Sequence, residues 1–260
     1  MRGMTKSYLL GLTPSDAIKP EEQPVLAPPS PTVVRPVMHQ RWSELTFVHW
    51  RYPPETVAPL LPPGLSPETF DGSAWVGLVP FLMKGVRMPG MPPLPWMSFF
   101  PETNVRTYVR DESGRAGVWF FSLDAARLPA VVGGRAGFHL PYFWSDMSVR
   151  RAATLWTYHS RRRLPGPPGA HVDLEVRVGS SLDSPDELAH FLTARYLLFN
   201  LVSGRLASAQ VEHPPWPLQQ ASLVHLDESL LRAGDIPSPD GPPVLHASLG
   251  VPVRIGMWRR

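Results

Sequence analysis

The 260-residue chain contains no cysteine. That excludes disulfides, thiolate nucleophiles, Cys-ligated metal sites and iron–sulfur clusters. Lysine is nearly absent: Lys6, Lys19 and Lys84 are the only three, and arginine supplies the other 22 of the 25 cations. Such a bias reflects a GC-rich coding sequence rather than a function. Charged residues make up only 18%, which excludes a disordered polyelectrolyte. Net charge is +3, the longest basic run is Arg161–Arg163, and no aromatic-interleaved basic stripe occurs. Nucleic acid is therefore not an expected partner. No segment reaches the ~18 apolar residues of a membrane span. The longest, Ala74–Met83, is broken by Gly77 and Pro80, and Tyr8–Leu12 is too short for a signal peptide. A cytoplasmic protein with no membrane contact is expected.

Chemical motifs are missing too. There is no GxxxxGK[ST], no HExxH and no GxSxG, and the nine histidines never fall at i, i+2 or i, i+4 spacing. Neither a metal nor a cofactor is expected. Only histidines distant in sequence, such as His139, His213 and His246, are left to assemble a metal site.

What is present is apolar bulk and proline. Hydrophobic residues reach 43%, with 9 Trp and 11 Phe, enough for a real core. Residues 1–35 hold six of the 33 prolines and no sustained apolar period, so they read as a mobile or loosely docked arm. With no repeat or later linker, 36–260 reads as one domain. Strand patterns cover His39–Trp50, Ser73–Leu82, Asn104–Arg110, Val118–Leu123, Leu206–Glu212, Ala221–Leu226 and Leu245–Val253. Arg150–Arg162 and His171–Val178 read as a hairpin across a Pro/Gly-rich turn. Helices are expected after Pro53, over Ala125–Gly134, and from Ser184, where Ser-Pro-Asp-Glu forms a capping box and an apolar 3.6 period runs on to Val202. The balance is a β-rich α+β fold: a curved or closed antiparallel sheet with a few packed helices.

Two features carry chemistry. In Asn104–Arg110, Val105, Thr107 and Val109 share one face, and Asn104, Arg106 and Tyr108 the other. The polar face either meets water or lines a polar lumen, where Arg106 is a fixed cation for a carboxylate or phosphate. Arg195 projects from the apolar stripe of the Ser184 helix, either as a structural ion pair or as an anion anchor.

The stretch Gly134-Arg135-Ala136-Gly137-Phe138-His139-Leu140-Pro141-Tyr142-Phe143 follows a small-residue helix. It resembles the Gly-Arg…Pro-Lys-Lys stretch of acetoacetate decarboxylases, with Gly134, Arg135 and Pro141 in register. Further pieces are similar to the YqjF-like family of uncharacterised bacterial proteins related to that superfamily: Phe70–Phe81, Glu102–Val109, Gly117–Ala125, Leu140–Tyr142, Phe191–Tyr196 and His213–Pro217. The resemblance covers roughly residues 38–255. It implies an acetoacetate decarboxylase-like β-barrel or curved sheet with a central cavity. It also marks a departure. The decarboxylases form a Schiff base through the first lysine after the proline, and here Tyr142 and Phe143 stand at the two lysine positions. The decarboxylase glutamate falls at Glu102 or Asn104, and the register leaves both open.

The expected function is a cavity binding a small organic anion without Schiff-base chemistry. Arg106, Arg135 and Arg195 are the candidate anion contacts. Glu102, Asn104, Tyr108, His139 and Tyr142 are candidates for hydrogen bonding or proton transfer. Two alternatives stay open: a lyase, hydratase or isomerase using Tyr142 as general acid, and an interaction protein with a filled barrel. A homo-oligomer is compatible with all three.

Overall fold

The computed structural model describes residues 30–166 and 168–259. In chain order the elements are β1 (Pro36–Tyr52), α1 (Pro54–Val57), β2 (Leu65–Pro67), β3 (Ala74–Arg87), β4 (Phe99–Asp111), β5 (Ala116–Ala125), α2 (Leu128–Phe138) and β6 (Tyr142–Ala152). There follow β7 (Leu155–Leu164), β8 (His171–Ser181), α3 (Glu187–Thr193), β9 (Leu197–Val202), β10 (Arg205–Glu212), β11 (Leu218–Glu228), α4 (Leu230–Ala233) and β12 (Val244–Gly256).

All twelve strands join one large curved sheet. Pairing runs β12–β1–β3–β4–β5–β9–β10, and β10 pairs again with β12, so this ladder returns on itself. Of the remaining strands, β6, β7, β8 and β11 lead from β5 back to β12, and β2 pairs with β4 at the edge. The expected all-antiparallel pairing holds except at β5, which pairs in parallel with both β6 and β9. Both crossovers that produce this carry a helix, α2 and α3.

Period-2 alternation gives β1, β3 and β4 two buried faces. Leu45, Phe47, Trp75, Val79, Phe81 and Tyr108 belong to an apolar cluster inside the seven-strand circuit. Val48, Trp50, Val76, Leu78 and Val105 belong to a second cluster, which also takes in Trp156 and Tyr158 of β7, Leu174 of β8 and α4. Neither face of Asn104–Arg110 therefore meets water; only Arg110, at its end, is exposed.

The helices start later or end sooner than the sequence pattern implies. α2 begins at Leu128 rather than Ala125, with Pro129 in its first turn, and runs to Phe138. α3 is capped by Asp186, whose side chain accepts from the Ala189 amide, and not by Ser184. It stops at Thr193 because the following Leu197–Val202 hydrogen-bonds to β10 and β5. Leu198 and Phe199 are buried as strand residues, and their helical spacing was coincidental. Arg195 thus lies past the helix, although its Nε still donates to the Phe191 carbonyl. The hairpin after the parallel crossover is β7–β8, while Arg150–Ala152 belong to β6.

Of the expected arm, residues 1–29 lie outside the described residues. Val33 is buried, and its amide donates to Glu212 at 2.6 Å. β1 starts at Pro36.

Candidate functional site

The seven-strand circuit encloses a cavity of about 260 Å³. Every strand of the circuit contributes to its wall: Met38 and Gln40 from β1, Val79 and Phe81 from β3, and Glu102, Asn104 and Arg106 from β4. Phe120 comes from β5, Leu198 from β9, Val211 from β10 and Ile255 from β12. Gly134 and Phe138 of α2, Tyr142 of β6 and His213 and Trp216 close it. Most of this lining is hydrocarbon. Its polar groups gather at two ends, because Glu102 and Arg106 lie four residues apart on one face of β4.

At the first end, the Tyr142 hydroxyl donates to Glu102 Oε2 at 3.0 Å. Glu102 is 3% exposed, and Oε1 has no hydrogen bond among the described residues. Burial pushes its carboxyl up to about 8, the neighbouring Asp124 carboxylate adding to the rise and the Tyr142 hydrogen bond opposing it. Burial, then the adjacent Glu102, holds the Tyr142 phenol well above its ordinary value. The proton that titrates near neutral pH is therefore on Glu102, not on Tyr142. Behind this end Asp124 is fully buried and engaged by Arg162, which donates from Nε at 2.9 Å and Nη2 at 2.7 Å, and by Ser145 at 2.7 Å. Phe143 lies over the Arg162 guanidinium, 3.6 Å from ring centroid to Cζ. The two positions aligned with decarboxylase lysines thus diverge, Tyr142 to the cavity and Phe143 to the Asp124–Arg162 pair.

Gly134 makes room for Tyr142. A Cβ there would come within 2.3 Å of the Tyr142 ring. Gly134→Ala therefore costs ~1–3 kcal/mol through overpacking, despite the better helix propensity of alanine. Thermal melting checks it, and an unchanged or raised melting temperature would refute the contact.

At the second end, Arg106 is 7% exposed. Its Nη2 donates to the Leu192 carbonyl at 3.1 Å and the Tyr108 hydroxyl at 3.3 Å. Its Nε is buried without a partner, and no carboxylate oxygen lies within 4 Å of it among the described residues. The nearby Arg195 is neutralised by Glu68, which also pairs with Arg110. Burial draws the Arg195 guanidinium below its ordinary value, and the pairing with Glu68 opposes that. Tyr108 stands beneath Arg106, outside the lining. Its hydroxyl donates to Leu192 O at 2.7 Å and meets His49 Nε2 at 2.6 Å. Burial, then the Arg106 charge, keeps His49 well below its ordinary value and hence neutral. Midway between the two ends, Asn104 is 5% exposed, and its Oδ1 has no partner among the described residues.

Glu102, Asn104, Arg106, Arg195 and Tyr142 are therefore brought together, and the ambiguity between Glu102 and Asn104 dissolves because both face the cavity. Arg135 and His139 are not in it. Both are exposed. Arg135 donates to the Tyr142 carbonyl at 2.8 Å, and His139 turns the chain out of α2 with φ +58°. Lys84 pairs with Glu44 at 2.9 Å, and no lysine is among the lining residues. Gln40, Thr193 and Trp216 are not among the site residues expected from the sequence, and His213 entered only as one of three histidines distant in sequence. The His213–Pro217 segment of the family resemblance is the signal that covers both His213 and Trp216.

This cavity sits in a fold shared with acetoacetate decarboxylase-like proteins. An acetoacetate decarboxylase from Legionella pneumophila superposes with TM-score 0.55 over 96% of both chains at 14% identity. An acetoacetate decarboxylase-like enzyme from Sphingomonas wittichii RW1 gives 0.59 over 87% of this chain and 94% of its own at 14% identity. The enduracididine biosynthesis enzyme MppR, complexed with pyruvate, gives 0.59 over 88% and 91% at 18% identity. Residues 39–252 match the DUF2071 model, described as an uncharacterized conserved protein, and the chain belongs to that family. The uncharacterized protein YqjF of Bacillus subtilis (strain 168) is 33% identical over 210 residues, 81% of this chain and 86% of its own length. Among the described residues no helix is long and apolar enough to cross a membrane.

Proposed function

We propose that the protein binds a small organic anion inside this barrel-like enclosure, without Schiff-base chemistry. The observation that carries the reading is Arg106: a buried guanidinium facing a cavity, with no carboxylate within 4 Å among the described residues. A buried cation without a counter-charge is costly, and an anionic ligand supplies one. The apolar walls fit an organic rather than an inorganic anion. The pyruvate held by MppR is an anion of that kind. The lysine-free lining argues against an imine.

Arg106→Met tests this. The variant is expected to lose the thermal stabilisation that small carboxylates confer on the parent, while its own unliganded stability stays within about 1 kcal/mol, because no acid is left unpaired. A loss of several kcal/mol, with no carboxylate raising the melting temperature of the parent, would sink the reading.

A second reading is a proton-transfer enzyme of the isomerase, lyase or hydratase type. Glu102 favours it, since a carboxyl near pH 8 exchanges protons at physiological pH. In that reading the acid–base group is Glu102, and Tyr142 is the donor that orients it.

A further inference from the structure

We propose that the ligand is a linear carboxylate of about six carbons with a hydroxyl at its far end, an ω-hydroxycarboxylate spanning from Arg106 to the Glu102–Asn104 pair. This rests on the anion reading above and adds a length and a second polar group.

Length follows from β4. At ~3.3 Å per residue, the inward-facing Glu102 and Arg106 are set about 13 Å apart, with Asn104 halfway between them. A group placed between Glu102 and Asn104 is thus about 10 Å along the strand from Arg106. A six-carbon acid, advancing ~1.3 Å per bond, with a ~2.9 Å hydrogen bond at the guanidinium, covers that span. A two- to four-carbon acid held at Arg106 does not. The cavity, about 260 Å³, is roomy enough for a ligand of that length. The apolar part of the wall, including Val79, Phe81 and Leu198, offers a methylene chain no hydrogen bonds and asks for none.

The hydroxyl follows from unmet hydrogen bonds. Asn104 is buried, and its Oδ1 is a buried acceptor with no hydrogen-bond partner among the described residues. Beside it, Glu102 Oε1 has no hydrogen bond either. A hydroxyl donates once and accepts twice, so it satisfies the Asn104 oxygen and still accepts from Glu102 or the Asn104 amide. A ketone only accepts and leaves the Asn104 oxygen unpaired. A second carboxylate only accepts as well, leaves the Asn104 oxygen unpaired, and brings a like charge toward Asp124.

Calorimetric titration of the full-length protein at pH 7 with acetate, 3-hydroxybutanoate, hexanoate, 5-oxohexanoate and 6-hydroxyhexanoate decides it. The expected order places 6-hydroxyhexanoate about tenfold tighter than hexanoate and 5-oxohexanoate, and 3-hydroxybutanoate weaker than hexanoate. In Asn104→Leu the hydroxyl advantage disappears, while hexanoate still binds. The wild-type series stands without that variant should it not fold. If carboxylates bind with no preference for length, or none for the hydroxyl, this inference fails and the anion reading survives. If none of the five binds, both fail.

Discussion

Glu102→Gln stabilises the protein at neutral and alkaline pH and leaves its stability unchanged near pH 4. The glutamate carboxyl titrates at its ordinary 4.5 when unfolded and at about 8 when folded. Below 4.5 it is protonated in both states and contributes nothing to pH dependence. Between 4.5 and 8 the folded state holds a proton that the unfolded state has released, so stability falls as pH rises. Above 8 the carboxylate is buried and charged, and the penalty is complete. At ~1.4 kcal/mol per pH unit this approaches 4–5 kcal/mol, of the order of 10 °C in melting temperature for a domain of this size. Glutamine keeps the Tyr142 hydrogen bond, since its amide oxygen accepts from the phenol. Melting curves of parent and variant from pH 4 to 9 should therefore start together and diverge. Parallel curves would mean that Glu102 is not held neutral by the cavity.

The second large effect belongs to Asp124 and Arg162. Asp124→Ala removes a carboxylate that accepts three hydrogen bonds and leaves Arg162, at 4% side-chain exposure, without its counter-charge. The expected loss is ~3–5 kcal/mol. Replacing both residues, as Asp124→Leu with Arg162→Met, recovers most of that loss, because the dominant cost is the unpaired buried charge rather than the missing attraction. A double-mutant cycle measured by denaturant unfolding checks both statements. If the double variant is as unstable as the single one, packing against Phe143 matters more than charge. The contrast with Arg106 is direct: one buried arginine has a carboxylate partner, and the other faces the cavity without one.

Strands were legible wherever one face differed from the other or a turn bounded an apolar run. Asn104–Arg110 is the clearest case: alternation alone placed Asn104 and Arg106 on one face, and both stand in the cavity wall. Tyr142 was reached through its position after Pro141 in the family-like stretch, and its ring does face the cavity. The same stretch misled at Arg135 and His139. Sequence proximity to Tyr142 says nothing about direction, and the left-handed turn at His139 sends the chain out of α2 with both side chains exposed. Arg195 lines the cavity, but its place past the end of α3 was hidden by an apolar spacing that suits helix and buried strand equally.

Composition and alternation by themselves determined a β-rich α+β chain, a polar face shared by Asn104, Arg106 and Tyr108, and the absence of lysine at the position after Pro141. Those are properties of single segments, set by side-chain period and residue identity. Tertiary structure decided which charges have partners. Glu68 neutralises Arg195 across 127 residues, Arg162 takes Asp124 across 38, and β10 pairs with β12 to close the circuit around Arg106. Whether a buried charge is balanced by the protein or left facing a cavity depends on contacts between segments distant in the chain, and no local pattern encodes those.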